Sequence, residues 1–455
     1  MKTTAPARFG ELTDRLSGRL ILPSDPDYDH LRAVMPGDID RHPLAIARVA
    51  DAADVARVIA FTRDEGLELA LRCGGHSANG FGTTDSGVVL DLRTLKSTVL
   101  DQGSMKLWAG GGLTAAEVTD AAWSAGGVIG FGDTGSVGIG GITTGGGIGF
   151  LVRRFGMTVD NLVAAEIVTA QGEVVTADAD NHPDLFWAVR GGGGNFGVVT
   201  RFLYRVQPVA EFYGGMLVLP ATADTVAGFM DASANAPDEL STICNVMTGP
   251  PMPFLPPEAA GKPIILGFLA HVGDAAAGER AIAPFRALAE PYADMLAAQP
   301  YPAMYGPEDE SYKPKAIDHT LFIDHVDRDL AQTMLDAIDA SDAPLRGFQL
   351  RVLGGAMARV PADATAFAHR AAPIMAIAVS FYEGADDYPV RYKWVHDGAA
   401  AINQGVPGAY VNFVREPERV RDAYPSPTWE RLREIKRRYD PSNLFRLNHN
   451  IPPAD

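Results

Sequence analysis

The spacing of apolar and polar residues divides this chain into two textures. Phe9, Leu12, Leu16 and Leu20 recur at helical spacing until Pro23 and Pro26 break the pattern. Pro43 to Val49 reads as a strand. Asp51 to Glu65 reads as a helix, with Val55, Val58, Ile59 and Phe61 as its apolar repeat. Leu67 to Leu71 is a second strand and Gly87 to Leu92 a buried third. Together they predict a β-α-β unit whose strand-end loops suit a ligand. Lys106 to Ala109 is a further strand, and Gly110 to Gly112 a turn. Thr114, with Glu117 three residues on, is a capping box opening a helix that stops at Gly126 and Gly127. Glu166 to Ala170 and Gly172 to Ala177 predict a hairpin. Past Pro208 the glycine clusters thin. Strands are expected at Gly214–Leu219, Thr242–Met247 and Ile264–His271, with helices at Ala223–Ala234 and Ala275–Leu288. That alternation is the α+β pattern of an antiparallel sheet with helices on one face.

At 455 residues the chain exceeds what one core usually serves, so two domains are expected. It is 47% hydrophobic and 21% charged, as a globular protein is. The net charge of −17 argues against a nucleic-acid partner, which needs a basic face. No apolar run is long enough to span a bilayer, so no membrane partner is expected. Two cysteines, Cys73 and Cys244, make no disulfide framework, and MKTTAPARFGEL lacks an apolar leader core. A cytoplasmic location is the expectation.

The densest chemistry lies between Leu71 and Leu95. Here a strand breaks into Arg72, Cys73, Gly74, Gly75, His76 and Ser77, and a second glycine turn follows at Gly80 and Gly82. Adjacent glycines let backbone amides approach a ligand. Arg72 offers a forked cation suited to phosphate, and a neutral His76 offers a nucleophilic ring nitrogen. A second stretch, Gly132 to Gly149, is half glycine, a density that suits close backbone contact. It lacks the Gly-Lys-Ser/Thr ending of a P-loop, and a dinucleotide fingerprint matches it only weakly.

The run R-x-G-G-H-S followed by G-F-x-x-x-D-x-G-V-V-L-D-L resembles the flavin-attachment loop of the FAD-linked oxidases related to berberine bridge enzyme. The likeness is greatest to their bacterial branch of 6-hydroxynicotine-oxidase type. His182 to Thr200 and Asp440 to Ile451 resemble further signatures of the same family. The resemblance implies an α+β fold. Its parts are a two-part FAD-binding domain of the PCMH or vanillyl-alcohol-oxidase type and a substrate domain with an antiparallel sheet and flanking helices. On this reading the FAD domain covers 1–209, the substrate domain 210–405, and the segment 406–455 returns to the FAD domain.

The resemblance also implies roles. The cofactor is FAD, joined through the ring of His76, with Arg72, Cys73, Gly74, Gly75, Ser77 and Gly80 around it. Relatives that attach FAD twice carry a cysteine where this chain has Thr134, so a single link is implied. Gly135, Ser136, Gly138, Gly140, Gly141 and Gly145 match the segment that holds the pyrophosphate and runs beneath the flavin. Gly197, Val198 and Val199 match backbone at the flavin edge, and Asn448 a C-terminal cofactor contact. Ile139 matches a position near the flavin face that oxygen approaches. Its bulk raises the alternative of a dehydrogenase using another acceptor. Phe186 and Trp187 are read as core, and His182, Arg190 and His369 as structural.

Catalytic candidates are Tyr410, Arg351 and Gln349. Gln349 and Arg351 alternate on one strand and so share a face. Arg351 stands where sugar-oxidising relatives carry an acid, which points to an anionic or carbonyl-bearing substrate. Its other reading is an ion pair with a domain carboxylate facing solvent. Tyr410, with Asn412, matches a Y-x-N strand crossing back to the FAD domain. As a base at neutral pH it needs its phenol lowered by a cation such as Arg351; its other reading is packing on the flavin. Tyr312 and Lys313 are lesser candidates. No metal site is assigned. The implied reaction is hydride transfer from a C–H beside oxygen or nitrogen of a small molecule, with molecular oxygen as acceptor. A non-catalytic flavin-binding module is the remote alternative, and the sequence sets neither substrate nor oligomeric state.

Overall fold

Asp51 ends an extended segment, and its carboxylate accepts from the amide of Asp54 at 2.8 Å, which starts the helix Ala52–Asp64. Val55, Val58 and Ile59 of that helix are fully buried against Ala45, Leu69 and Leu90. The computed structural model describes residues 9–309 and 311–455, so residues 1–8 of the expected leader-free start lie outside the described residues. The first sheet has the order Arg19–Ile21, Ala45–Arg48, Gly87–Asp91, Glu68–Arg72. Its last three strands are parallel, as the β-α-β reading requires, and the first joins antiparallel.

A second sheet of five antiparallel strands runs Thr98–Asp101, Lys106–Gly110, Val198–Arg205, Leu162–Val168, Val174–Asp178. The capping box of Thr114 and Glu117 is formed and opens the helix Ala115–Ser124. Trp429, Leu432 and Ile435 of the C-terminal helix Ser426–Tyr439 pack into the same core as Phe202 and Tyr204 of this sheet. Phe186 and Trp187 lie there too, as their spacing predicts.

The third sheet is antiparallel, in the order Ala293–Asp294, Phe212–Pro220, Pro263–Val272, Leu240–Thr248, Arg346–Val352, Ile374–Phe381, Ala316–Ile323, with Ala297–Ala298 also on Phe212–Pro220. Four helices, Ala223–Ala234, Ala275–Arg286, Arg328–Asp339 and Tyr388–Ala401, bury Phe229, Phe285, Met334 and Val395 on one face of it. Side chains alternate along a strand. Phe348, Leu350 and Val352 therefore face the helices, and Gln349 and Arg351 face the glycine-rich stretch 132–149.

Two expectations are corrected. The glycine-rich stretch contains a short helix, Ile139–Gly145, which nothing in its composition announced. The segment around Tyr410 is no strand: Val411–Phe413 is a single 3-10 turn. Its polar groups bond the glycine loop instead of a ladder. Among the described residues no helix is long and apolar enough to cross a membrane.

Candidate active site

The two glycine loops pack back to back. A Cβ on Gly74 would stand 2.4 Å from the backbone nitrogen of Gly138, and one on Gly138 would stand 2.2 Å from that of Gly74. No side chain fits either place. The second loop is pinned to the start of the helix Ala115–Ser124, where Ala115 N donates to Val137 O and Ile139 N to Leu113 O, both at 2.9 Å. Glycine density is thus spent first on loop-to-loop contact. Gly75 and Gly80 turn the first loop with φ of +75° and +68°. Ser77 serves that turn, its carbonyl accepting from Gly80 N at 2.9 Å.

His76 sits half-exposed on the first loop, and its Nε2 lies 3.0 Å from Ser136 Oγ on the second. Glu308, shortly after the 3-10 turn Tyr301–Met304, accepts from Ser136 N at 2.8 Å and from the Ser136 hydroxyl. A carboxylate can only accept, so the hydroxyl proton points to Glu308 and the Ser136 oxygen accepts from His76 Nε2–H. The lone pair of the ring therefore lies on Nδ1. Burial holds His76 below the ordinary imidazole range, with Glu308 opposing and Lys313 adding to the shift. The ring is thus neutral at pH 7 and nucleophilic at Nδ1. Glu308 has no sequence signature.

Other first-loop residues take different places from those expected. The Arg72 guanidinium is buried, bonds Asp91 at 3.2 Å and the Arg32 carbonyl at 3.3 Å, and is brought down to about 10 by burial. Its donors turn into the protein, not toward a phosphate. Cys73 wedges beneath the short helix, its Sγ 2.3 Å from where a Gly140 Cβ would stand. Burial pushes its thiol up to about 12, so it is an inert packing group. Ile139 is fully buried in the core with Leu113 and Ala115. Thr134 is half-buried beside the turn, and Gly135 lies against Ala116. Gly141 is exposed, with open space where its Cβ would be.

The far end of the short helix meets the C-terminal segment. A Cβ on Gly145 would stand 2.0 Å from Asn412 Oδ1. Asn412 Nδ2 and Gly147 N each donate to the Tyr410 hydroxyl at 2.9 Å. Burial pushes the phenol above its ordinary value. Those two donors and Arg351 pull it back, but burial wins. The lowered phenol that a neutral-pH base needs is therefore not found.

Arg351 is 4% exposed and each of its three nitrogens is engaged: Nε by Gln349 Oε1 and Nη1 by Ile148 O at 2.8 Å, Nη2 by Asp133 at 2.7 Å. It pairs with a carboxylate, yet it is buried rather than facing solvent, and its charge is met. Gln349 in turn donates to Asn245 Oδ1 at 2.9 Å. Tyr312 is 57% exposed and stands on the surface. His182 bonds Tyr439 and His369 bonds backbone of 422–423, and Arg190 lies over the Phe186 ring, all as structural groups.

Three features fit a bound flavin dinucleotide. The loop pair offers half-exposed backbone around His76. Val198 and Val199, after Gly197 at φ +150°, pair with Val168 and Ile167, while the strand Lys106–Gly110 begins its pairing only at Arg201. Gly111 N closes on Thr200 O at 2.7 Å, so the edge without a ladder is confined to Val198 and Val199. Asn448 Oδ1 and Asn450 Oδ1 are buried with no hydrogen-bond partner, an arrangement that native structures seldom keep without a ligand or water. The tip that carries them reaches the His76 loop, where the His449 ring packs edge-on against Phe81 at 5.1 Å.

Comparison with known proteins agrees. Residues 43–178 match the FAD binding domain family, and residues 409–452 match the berberine and berberine-like family. The chain is 29% identical to (R)-6-hydroxynicotine oxidase of Paenarthrobacter nicotinovorans, over 96% of this chain and 97% of that one. It is 27% identical to an uncharacterized FAD-linked oxidoreductase of Bacillus subtilis, over 96% and 98%. The crystal structure of 6-hydroxy-D-nicotine oxidase from Arthrobacter nicotinovorans superposes with a TM-score of 0.86 at 27% identity, covering 96% of this chain and 98% of that one.

Proposed function

We propose that this chain, which matches the FAD binding domain family over 43–178 and the berberine and berberine-like family over 409–452, is an FAD-linked oxidoreductase that holds FAD by a single covalent link to His76 and oxidises a CH–OH or CH–NH group of a small molecule. The observation that carries the reading is the chain from His76 through Ser136 to Glu308, which leaves a neutral ring with its lone pair on Nδ1. When bound, FAD supplies the two-electron acceptor, with hydride received at N5 and molecular oxygen reduced to hydrogen peroxide.

The protein's own groups position and exclude. Gly74, Gly75, Gly138, Gly140 and Gly141 present backbone to the dinucleotide, the edge of Gly197 to Val199 meets the flavin ring, and Asn448 meets the cofactor from the C-terminal tip. Arg351, paired with Asp133, is not itself a free cation, which weakens the case for the anionic substrate first expected of it. Tyr410, kept protonated by burial, donates a hydrogen bond at neutral pH rather than removing a proton. The opening of the third sheet at Phe212 supports a division at 209/210, and the end of its covering helix at Ala401 supports one near 405/406. Two unpaired cysteines suit a reducing, cytoplasmic compartment.

The test is acid precipitation of the purified protein beside His76→Ala. Yellow colour should stay with the wild-type pellet and leave with the variant. Flavin that washes from the wild-type pellet removes the covalent link. Peroxide release with a panel of neutral alcohols and amines then tests the acceptor; substrate bleaching of the flavin without recovery in air makes the protein a dehydrogenase.

A further inference from the structure

Away from the flavin loops, three side chains from three separate stretches converge. His319 lies on the strand Ala316–Ile323, His396 on the helix Tyr388–Ala401, and Glu416 in the C-terminal segment. His319 Nδ1 is 3.2 Å from Glu416 Oε1, His396 Nε2 is 3.1 Å from the same oxygen, and the three atoms lie within 4.8 Å of one another. Three ligands about 2.0–2.2 Å from one tetrahedral ion stand roughly 3.3 Å apart, so little movement is needed to close on a cation.

Proton positions sharpen the point. His396 Nδ1 lies 2.8 Å from the Tyr392 carbonyl and so carries the N–H. Its Nε2 then aims a lone pair at a carboxylate oxygen. Arg419 Nη1 is 3.4 Å from His319 Nδ1 and can only donate, so that nitrogen also presents a lone pair. A cation between the two ring nitrogens and this oxygen would satisfy all three atoms at once. Glu416 Oε2 is buried with no hydrogen-bond partner, and its nearest cation is Arg419 Nη1 at 3.6 Å. Arg415 and Arg419 flank the cluster; Arg415 pairs with Asp318, and Arg419 divides its charge between Asp422 and Glu416, leaving Oε1 of Glu416 to the two imidazoles. The His396-to-carbonyl bond is the outer hydrogen bond that fixes metal-binding imidazoles in place.

We propose that His319, His396 and Glu416 form a site for a divalent cation of the zinc class, with its fourth position open to water. The ion joins the substrate sheet, its covering helix and the C-terminal segment. Arg415, beside Glu416, donates to Ala78 O at 3.1 Å, and Asn79 donates to the carbonyls of Val414 and Arg415 at 3.2 Å. The clip therefore steadies the backbone behind the His76 loop without touching substrate.

The test uses the holoenzyme, stripped with chelator and dialysed. Zinc is titrated by calorimetry, cobalt by its tetrahedral bands at wavelengths beyond the flavin absorption. One equivalent should bind and raise the melting temperature. His396→Ala and Glu416→Gln should each weaken binding by about 100-fold while flavin content holds. His396→Gln repeats the test should the alanine variant misfold. Wild-type protein that binds neither ion, or variants that bind as tightly as wild type, overturn the proposal.

Discussion

The glycine loops and the strand Arg346–Val352 border one site and are built in opposite ways. The loops meet backbone to backbone, Gly74 against Gly138, with no atom to spare. The strand meets its surroundings through a side-chain network running from Asn245 through Gln349 and Arg351 to Asp133. A backbone contact excludes every side chain and admits no substitute. A network asks only that its charges and donors be matched, so its members can be exchanged together. The first construction suits a cofactor that does not change, the second a substrate that does.

The sharpest way to break this contrast is Gly138→Ala. Its methyl would meet Gly74 N at 2.2 Å, and we expect a loss of about 3 kcal/mol or more with flavin binding abolished. An unchanged denaturation midpoint with full flavin content would sink the backbone account. Next is Arg351→Met, which strands the partly exposed Asp133 and should cost about 2–3 kcal/mol. Adding Asp133→Asn should recover much of it, whereas no side-chain change should rescue Gly138→Ala. If the double variant is no better than the single, the strand is not an exchangeable network.

Acidity probes the C-terminal tip that touches the loops. Burial brings His449 down to about 4 from an ordinary 6.5. Folding holds it neutral, so its contribution is whole above pH 6.5 and is lost as pH falls toward 4. About 2 kcal/mol should be gone by pH 5. Melting curves of His449→Phe should lack that acid loss, and an identical curve removes His449 as its source. The smallest effect is expected of Tyr410→Phe, about 1 kcal/mol from the lost hydroxyl. Between pH 7 and 9 its rate profile should keep the wild-type shape. Loss of a rate-controlling ionisation in that range would make Tyr410 the base after all.

Local spacing made much of the fold legible. Thr114 announced its helix because a cap bonds a residue three places away, Val55, Val58 and Ile59 announced theirs by their repeat, and the alternation at Gln349 and Arg351 gave their shared face. His76 was legible because its neighbours in sequence are its neighbours in space. What stayed hidden depends on distance or burial. Glu308 reaches Ser136 across 172 residues, and Asp133 reaches Arg351 across 218. The inward turn of Ile139 follows from a helix that seven glycine-rich residues do not advertise. The raised phenol of Tyr410 follows from burial, which a residue's name does not carry.

The C-terminal segment has a consequence for how the protein is made. Asn412 seals Gly145, Tyr410 bonds Gly147, and Lys436, wholly buried, bonds Asp440 and the carbonyls of Asn195 and Phe445. The contacts to Gly145, Gly147 and Asn195 reach back to residues synthesised long before. A ribosome must therefore release nearly the whole chain before the cradle has its last wall. Cofactor loading is an act of the finished polypeptide, and a nascent chain stalled before residue 409 presents the glycine loops without the groups that close on them.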